Sequence, residues 1–277
     1  MTFDLLDLAS DLERREDGIW FARQQSAVSY PEHGHATCLQ IEDQSFWFRH
    51  RNRCIASVAH RFTPNGTLLD IGGGNGYVAK GLNDAGIACA LLEPGVDGAL
   101  AAHARGVDPV ICARLEDIGA AAGSVDAAGM FDVLEHIEDE AGALQQVHAL
   151  LKPGGRLFLT VPAYAFLHSA DDVMAGHFRR YTVRSLERAL TANGFRLEYA
   201  TYIFAPLPPI VLLFRTIPTL LRLRRPEDAE EQSAEELGRQ GITTRIVDRI
   251  LDSEARRVEA GRIIPFGTSC LAVCTKD

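Results

Sequence analysis

A chain of 277 residues that is 47% hydrophobic, with a mean hydropathy of −0.02, has the material for one sizeable core, and an open α/β domain with additions is the default for that length. Its net charge of −9 and pI near 5.5 exclude a broad basic face, and with it a nucleic-acid partner, because phosphate backbones are held mainly by clustered Lys and Arg. The cysteines (Cys38, Cys54, Cys89, Cys112, Cys270, Cys274) are scattered with no C-x-x-C pair, which points to free packed thiols in a reducing cytoplasm and away from a structural zinc site.

Met1-Thr2-Phe3-Asp4 lacks the basic start and apolar core of a secretory signal, so a cytoplasmic protein is expected. Residues 3–15 place Phe3, Leu6, Leu8 and Leu12 among acids and arginines, which predicts an amphipathic helix ending near Gly18. A polar, turn-rich stretch through Tyr30-Pro31-Glu32-His33-Gly34-His35 reads as loop. Residues 42–62 then predict a second helix, in which Phe46, Trp47 and Phe48 stand beside Arg49, Arg51 and Arg53. One buried stripe does not need three adjacent aromatics, so Trp47 and Arg51 become candidates for contact with a cofactor or acceptor from a helical cap over residues 1–62.

Leu68-Leu69-Asp70-Ile71-Gly72-Gly73-Gly74-Asn75-Gly76-Tyr77 is an apolar extended run that ends in an acid and breaks into four glycines within five residues. Val78-Ala79-Lys80-Gly81-Leu82 then restores helical spacing, so a strand turns sharply into a helix. Without Cβ atoms such a turn lets a ligand approach the main chain, and the helix start offers unpaired N–H groups. The dinucleotide fingerprint wants G-x-G-x-x-G with an acid about 20 residues on. Here the spacing is G-x-G-x-G, Tyr77 occupies the third dinucleotide position, and Asp70 stands ahead of the turn.

This stretch resembles the first motif of the class I S-adenosylmethionine-dependent methyltransferases. The resemblance implies a Rossmann-like, doubly wound, seven-stranded, mostly parallel sheet with its last strand antiparallel, within one domain. That domain divides into a helical cap (1–62), a cofactor-binding core (63–202), a helical insertion or lid (203–267) and the last strand (268–277). It also implies that Asp70, Gly72, Gly74 and Gly76 hold the amino-acid part of S-adenosyl-L-methionine, whose product is S-adenosyl-L-homocysteine.

Farther along, Ala88-Cys89-Ala90-Leu91-Leu92-Glu93 predicts a second buried strand ending in an acid. A carboxylate there can accept from both hydroxyls of a ribose, and Glu93 matches the family's ribose acid. Pro109-Val110-Ile111-Cys112 is a third strand, and after it the family carries an adenine acid and a ring-packing residue. Arg114 departs from that pattern here, leaving Leu115 and Glu116 as the adenine candidates.

Phe131-Asp132-Val133-Leu134-Glu135-His136-Ile137 closes a fourth strand and resembles a phrase of methyltransferases acting on small molecules. Phe131 and Asp132 are carried over as cofactor contacts. His136 sits at the carboxyl end of a strand, where open α/β sheets bind ligands. A helix over 141–151 stops at Lys152-Pro153-Gly154-Gly155, and Arg156 to Pro162 is a fifth strand. Between Ala163 and Tyr181, Tyr164, His168, Asp171, Asp172, His177, Arg179, Arg180 and Tyr181 crowd into one loop leaving a strand end. Tyr164, His168 and Tyr181 are acceptor-binding candidates, and His177 with His136 are candidate general bases, their side chains titrating near neutrality. A metal on the loop's two histidines and two aspartates is weighed and none is assigned. Thr182 is the expected N-cap of the following helix.

Residues 195–202 and 268–274 alternate as the last two strands, with an insertion between them. Ile203 to Leu223 is strongly apolar but broken by Pro206, Pro208, Pro209 and Pro218, which argues against a membrane-spanning helix. A lid, a homodimer contact and a membrane-surface anchor over 203–225, flanked by Arg222, Arg224 and Arg225, stay open. Residues 226–240 are acidic. The expected activity is methyl transfer to a small-molecule or biosynthetic-intermediate acceptor at O, N or C, or to a lipid-linked acceptor. An NAD(P)-dependent oxidoreductase and a non-catalytic cofactor-binding module are the alternatives of other classes.

Overall fold

The computed structural model describes residue 9 and residues 11–23, 42–43, 45–62, 66–223 and 242–277, with side chains of the last helix from residue 249 onward. The loop expected at residues 30–35, the acidic run 226–240, Cys38 and the first eight residues lie outside these. Parallel pairing joins β3 (Leu68–Ile71), β4 (Cys89–Glu93), β5 (Val110–Cys112), β6 (Val125–Phe131) and β7 (Leu151–Pro162). These strands are nearly continuous apolar runs because helices cover both faces of the sheet. At its far side β9 (Ser269–Lys276) inserts antiparallel between β7 and β8 (Phe195–Ile203), as the resemblance implied.

Among the described residues the sheet holds nine strands in the order β1-β2-β5-β4-β3-β6-β7-β9-β8, so a hairpin of β1 (Leu12–Arg14) and β2 (Trp20–Ala22) is added to the seven expected ones. That hairpin corrects the helix expected over 3–15 where the structure describes it, at residues 11–15. Gly18, at φ +88°, closes the turn with its N–H donating to the Arg15 carbonyl, and β2 pairs parallel to β5, which has an open edge to offer. Leu12 faces inward while Glu13 and Arg14 face water. Three residues of alternation are too few to outweigh a helical spacing of leucines read from sequence.

Alternation sorts neighbouring residues to opposite faces. Leu69, Leu92 and Leu159 pack on one side with Leu144 and Leu186 of α4 (Glu140–Leu150) and α6 (Val183–Ala192), between which the chain makes the short α5 (Ala170–Ala175). On the other side Leu68, Leu91 and Phe158 meet Ile55 and Val58 of α1 (Phe46–Arg61), Leu82 of α2 (Tyr77–Asp84) and Ala99 of α3 (Val96–Ala104). Thr182 caps α6 by accepting from the Ser185 N–H at 3.1 Å. Lys152 to Gly155, expected as a helix stop, is drawn into β7, with a register shift opposite Val125 and Ala127 and Gly154 at φ +74°. The cysteines among the described residues are buried free thiols.

The insertion folds back on the core in two pieces. After β8, α7 (Pro208–Val211), a π-helical turn (Leu212–Thr216) and α8 (Ile217–Leu220) follow one another. Pro218 cannot donate to the carbonyl four residues back, and the wide turn ahead of it absorbs that missing bond. Later α9 (Ile242–Glu259) packs along α1. No described helix is long and apolar enough to cross a membrane.

One side chain ties α9, α1 and the end of β8 together. Buried Glu254 accepts from the Phe204 and Ala205 N–H groups at 2.5 and 2.7 Å and lies 2.7 Å from Nε2 of His50. Glu254→Ala leaves those donors buried without an acceptor, at about 1–3 kcal/mol apiece. The expected fall in Tm is roughly 5–15 °C. A melting curve within about 2 °C of wild type would mean that this tie carries none of the fold.

Candidate functional site

The carboxyl ends of β3, β4 and β6 bring Asp70, Glu93 and Asp132 to one edge of the sheet, beneath the amino-terminal part of α1. Asp70 is 1% exposed, and neither carboxylate oxygen has a hydrogen-bond partner among the described residues. Burial pushes its pKa up to about 7, with Arg51 opposing and Glu93 adding to the rise. A buried carboxylate with both oxygens unspent is set to receive a cationic or donor group.

The glycine turn packs directly over it. Gly72, Gly74 and Gly76 have φ of +72°, +54° and +73°, a region that L side chains rarely adopt. A Cβ on Gly73 would lie 2.7 Å from Oδ2 of Asp70, and one on Gly76 would lie 2.7 Å from Cβ of Ala102. Gly76 is the N-cap of α2 and supplies no side-chain cap, so the first amides of that helix face the turn. Glu93 fastens the turn to β4 by accepting from the Gly74 and Gly95 N–H groups at 2.8 and 2.7 Å.

Arg51 is the cation of this site. It is buried, makes an ion pair with Asp132, and its guanidinium lies 4.7 Å from the Trp47 ring centroid and 5.5 Å from that of Phe48. Trp47 in turn stacks on Phe204 with the ring planes 1° apart. Asp132 adopts φ +58°, unusual for a residue other than Gly, at the point where β6 ends. Phe131 is buried in the core cluster with Leu68 and lies against Gly129. Leu115 lies on a short turn, partly buried, and Glu116 is exposed and paired with Arg114.

A second group sits beside the first. The His136 and His177 rings meet edge to face at 4.7 Å. His177 Nδ1 lies 2.8 Å from Oδ1 of Asp172, which also receives Arg180 Nε at 2.6 Å, while Arg180 Nη2 reaches Oδ2 at 3.0 Å. Burial alone would raise the Asp172 pKa, but the His177 and Arg180 hydrogen bonds hold it well below the carboxylate range. An ionised Asp172 only accepts, so Nδ1 of His177 carries the proton of that bond and Nε2 is the nitrogen turned away from it. Burial and His177 pull His136 down to about 4, so it is neutral at pH 7 and a weak base. Glu135, also 1% exposed, is raised well above the usual carboxylate range by burial and by Asp132.

The other loop candidates separate. Tyr164, at φ +60°, stacks on Tyr202 at 5.0 Å and packs against Phe266, joining the loop to β8 and to the approach to β9. Tyr181 is buried and donates to Oε2 of Glu140 at 2.6 Å, which makes it an internal strut. His168 is exposed. Sequence reading missed Glu135 and the paired Asp172 and Arg180 as site residues. The only local signals were the phrase containing Glu135 and the charge crowding near His177.

A model of the methyltransferase domain family matches residues 42–200. The chain is 27% identical over 179 residues to a probable S-adenosylmethionine-dependent methyltransferase of Mycolicibacterium smegmatis, covering 63% of this chain and 68% of that protein. It is 29% identical over 110 residues to the ubiquinone biosynthesis O-methyltransferase of Xanthomonas axonopodis, covering 37% of this chain and 46% of that one. In fold it is similar to an S-adenosylmethionine-dependent methyltransferase of Thermotoga maritima, with a TM-score of 0.54, 16% identity and coverage of 88% of this chain and 94% of that chain. A phosphoethanolamine N-methyltransferase of Haemonchus contortus in complex with S-adenosyl-L-methionine gives a TM-score of 0.52 and 16% identity, covering 93% of this chain and 61% of that one.

The Asp70 carboxyl binds a proton in the folded chain up to about pH 7, whereas its ordinary value is 3.8. Its folded pKa is raised, so the penalty for burying it is absent below the ordinary value, grows with pH, and is complete above about 7. In the absence of ligand, Asp70→Asn is therefore expected to melt a few degrees above wild type at pH 8, with the gap closing toward pH 4. A gap independent of pH in paired melting curves would show that the Asp70 charge is not what costs stability.

Proposed function

This chain belongs to the methyltransferase domain family, with S-adenosyl-L-methionine as its cofactor, and from that membership we propose that it methylates a small organic acceptor or biosynthetic intermediate at oxygen, nitrogen or carbon. The observation that carries the proposal is Asp70, buried with both oxygens unpartnered behind a turn whose glycines a side chain would fill. Asp70 suits the ammonium of the cofactor's amino-acid part, the uncapped first amides of α2 suit its carboxylate, and Glu93 suits its ribose. S-adenosyl-L-methionine supplies a methyl carbon already activated by a sulfonium, which the acceptor's lone pair displaces.

What the protein adds is alignment and charge. Asp132 pairs with Arg51, the charges of Asp70 and Glu135 are felt by the same guanidinium, and Glu93 adds to the field at Asp70, a clustering of acids that favours a cationic ligand. Alignment alone supplies much of the acceleration in such a displacement. The acceptor's proton, where it has one to lose, falls to the His177 side of the site. His177 keeps Nε2 available as a base, and neutral His136 orients beside it. Trp47, Arg51 and Tyr164 form the wall an acceptor meets.

A second reading, an acceptor with an apolar or lipid tail, is favoured by one feature of the insertion. Its inner side is fixed to the acceptor loop, with Thr216 donating to the Leu167 carbonyl at 3.1 Å and the Ala170 N–H donating to Thr219 at 3.1 Å. Its outer side leaves Leu213, Phe214, Leu220 and Leu221 exposed, Phe214 by 64% and Leu220 by 75%. Such a patch near a site marks a docking or membrane surface.

S-adenosyl-L-homocysteine at a hundredfold excess over its Kd is expected to stabilise the fold by about 2.7 kcal/mol. NADH and NADPH are expected to give no shift, and Asp70→Asn to abolish the response. A shift with a nicotinamide cofactor instead would overturn the reading. For the acceptor, Phe214→Ser with Leu220→Ser is expected to release the protein from liposomes if the second reading holds, and sedimentation of wild type that is indifferent to liposomes would eliminate it.

A further inference from the structure

One donor from each of Glu135, His136 and His177 lies within 4.8 Å of the others. Two donors about 2.1 Å from a shared ion can be at most about 4.2 Å apart, so a contraction of about half an ångström closes the three on one cation. We propose that Glu135, His136 and His177 form a binding site for a divalent first-row transition cation, with zinc the type case, at the edge of the acceptor site. Two histidines and one carboxylate, with the remaining position open, are a donor set such ions accept.

Three observations support the site independently of that spacing. Glu135 is almost wholly buried, yet its Oε2 has no hydrogen-bond partner among the described residues. Each histidine has one ring nitrogen engaged by an oriented partner, as metal-bound imidazoles do. His177 Nδ1 is held by Asp172, itself clamped by Arg180, and His136 hydrogen-bonds the backbone of Ala175. Finally, the Phe178 N–H donates to the Glu135 carbonyl at 2.9 Å, tying the loop that carries His177 to the turn that carries the other two ligands. An arrangement that only stabilised the loop would have no need for a buried glutamate with an unpartnered oxygen beside two imidazoles.

The role follows from the open position and rests on the methyltransferase reading. An acceptor hydroxyl or phenol oxygen bound there keeps its electron pair while its O–H proton passes to solvent at lower pH than in water, because a bound divalent cation stabilises the oxyanion. This narrows the acceptor to an oxygen nucleophile and makes His177 a ligand of the cation in place of a bare base.

The test reads the ion itself. Full-length protein stripped with EDTA and then given Zn2+ or Co2+ is expected to retain about one ion per chain after desalting. His177→Gln and Glu135→Gln, each nearly isosteric, are expected to weaken that binding at least tenfold, and Asp172→Asn by a smaller factor as a positioning change. Thermal stabilisation by S-adenosyl-L-homocysteine, unchanged in His177→Gln, confirms that the variant is folded. Wild type that retains no ion, or variants that retain as much as wild type, would overturn the site. Because the ion is counted without cofactor or acceptor, failure of S-adenosyl-L-homocysteine to bind would sink the methyltransferase reading and leave the metal result standing.

Discussion

A carboxylate taken out of water must find a partner or give up its charge, and this molecule gathers four acids, Asp70, Glu93, Asp132 and Glu135, at the carboxyl edge of one sheet. The rest of the architecture serves that constraint. Glu93 accepts from the Gly74 amide of the glycine turn and the Gly95 amide just past β4, Asp132 pairs with Arg51, and among the described residues Asp70 and Glu135 are the two of these four acids that keep unspent buried oxygens. Those two are where burial costs most, and a ligand that brings a positive or donor group offsets that cost. Stability has been left incomplete where chemistry needs a vacancy for charge, as sites that trade stability for function do.

Arg51 can serve this cluster only if α1 is held in place, and α1 is held from far along the chain. Glu254 is 204 residues beyond His50, and Asp252 receives Arg53 from the same helix at 2.6 Å. The insertion is therefore more than a cover. Its last helix steadies the arginine and tryptophan wall, while its first part fixes the loop that carries His177 through Thr216 and Thr219. Both ends of the insertion grip elements that line the site, so a ligand that orders the site is coupled to the order of the insertion.

The sequence makes legible what local chemistry decides. Positive φ restricts the glycine turn to glycine, strand ends carry Asp70, Glu93 and Asp132 by position, and Thr182 caps its helix through its own neighbours. What stayed hidden is set by distance. A three-residue strand such as Leu12–Arg14 is stabilised by its neighbour β2, and through β2 by β5, so its helical spacing of leucines misled. Phe131 and Tyr181 belong to phrases shared with methyltransferases, yet one is core and the other a strut to Glu140. A motif fixes which residues recur together and leaves open which of them faces solvent, core or ligand.

The same distinction separates two histidines that look alike in sequence. His136 follows Glu135 on a turn at the end of β6, and His177 arrives 41 residues later on a loop whose place is set by Asp172, Arg180 and the Phe178 amide. Were the pair simply bases, placing both rings 4.7 Å apart would be self-defeating, because protonating one disfavours protonating the other. As neutral lone-pair donors beside a buried carboxylate they do not compete, since one cation satisfies all three at once. The closeness that makes them poor independent acids and bases is what makes them a coherent set of ligands.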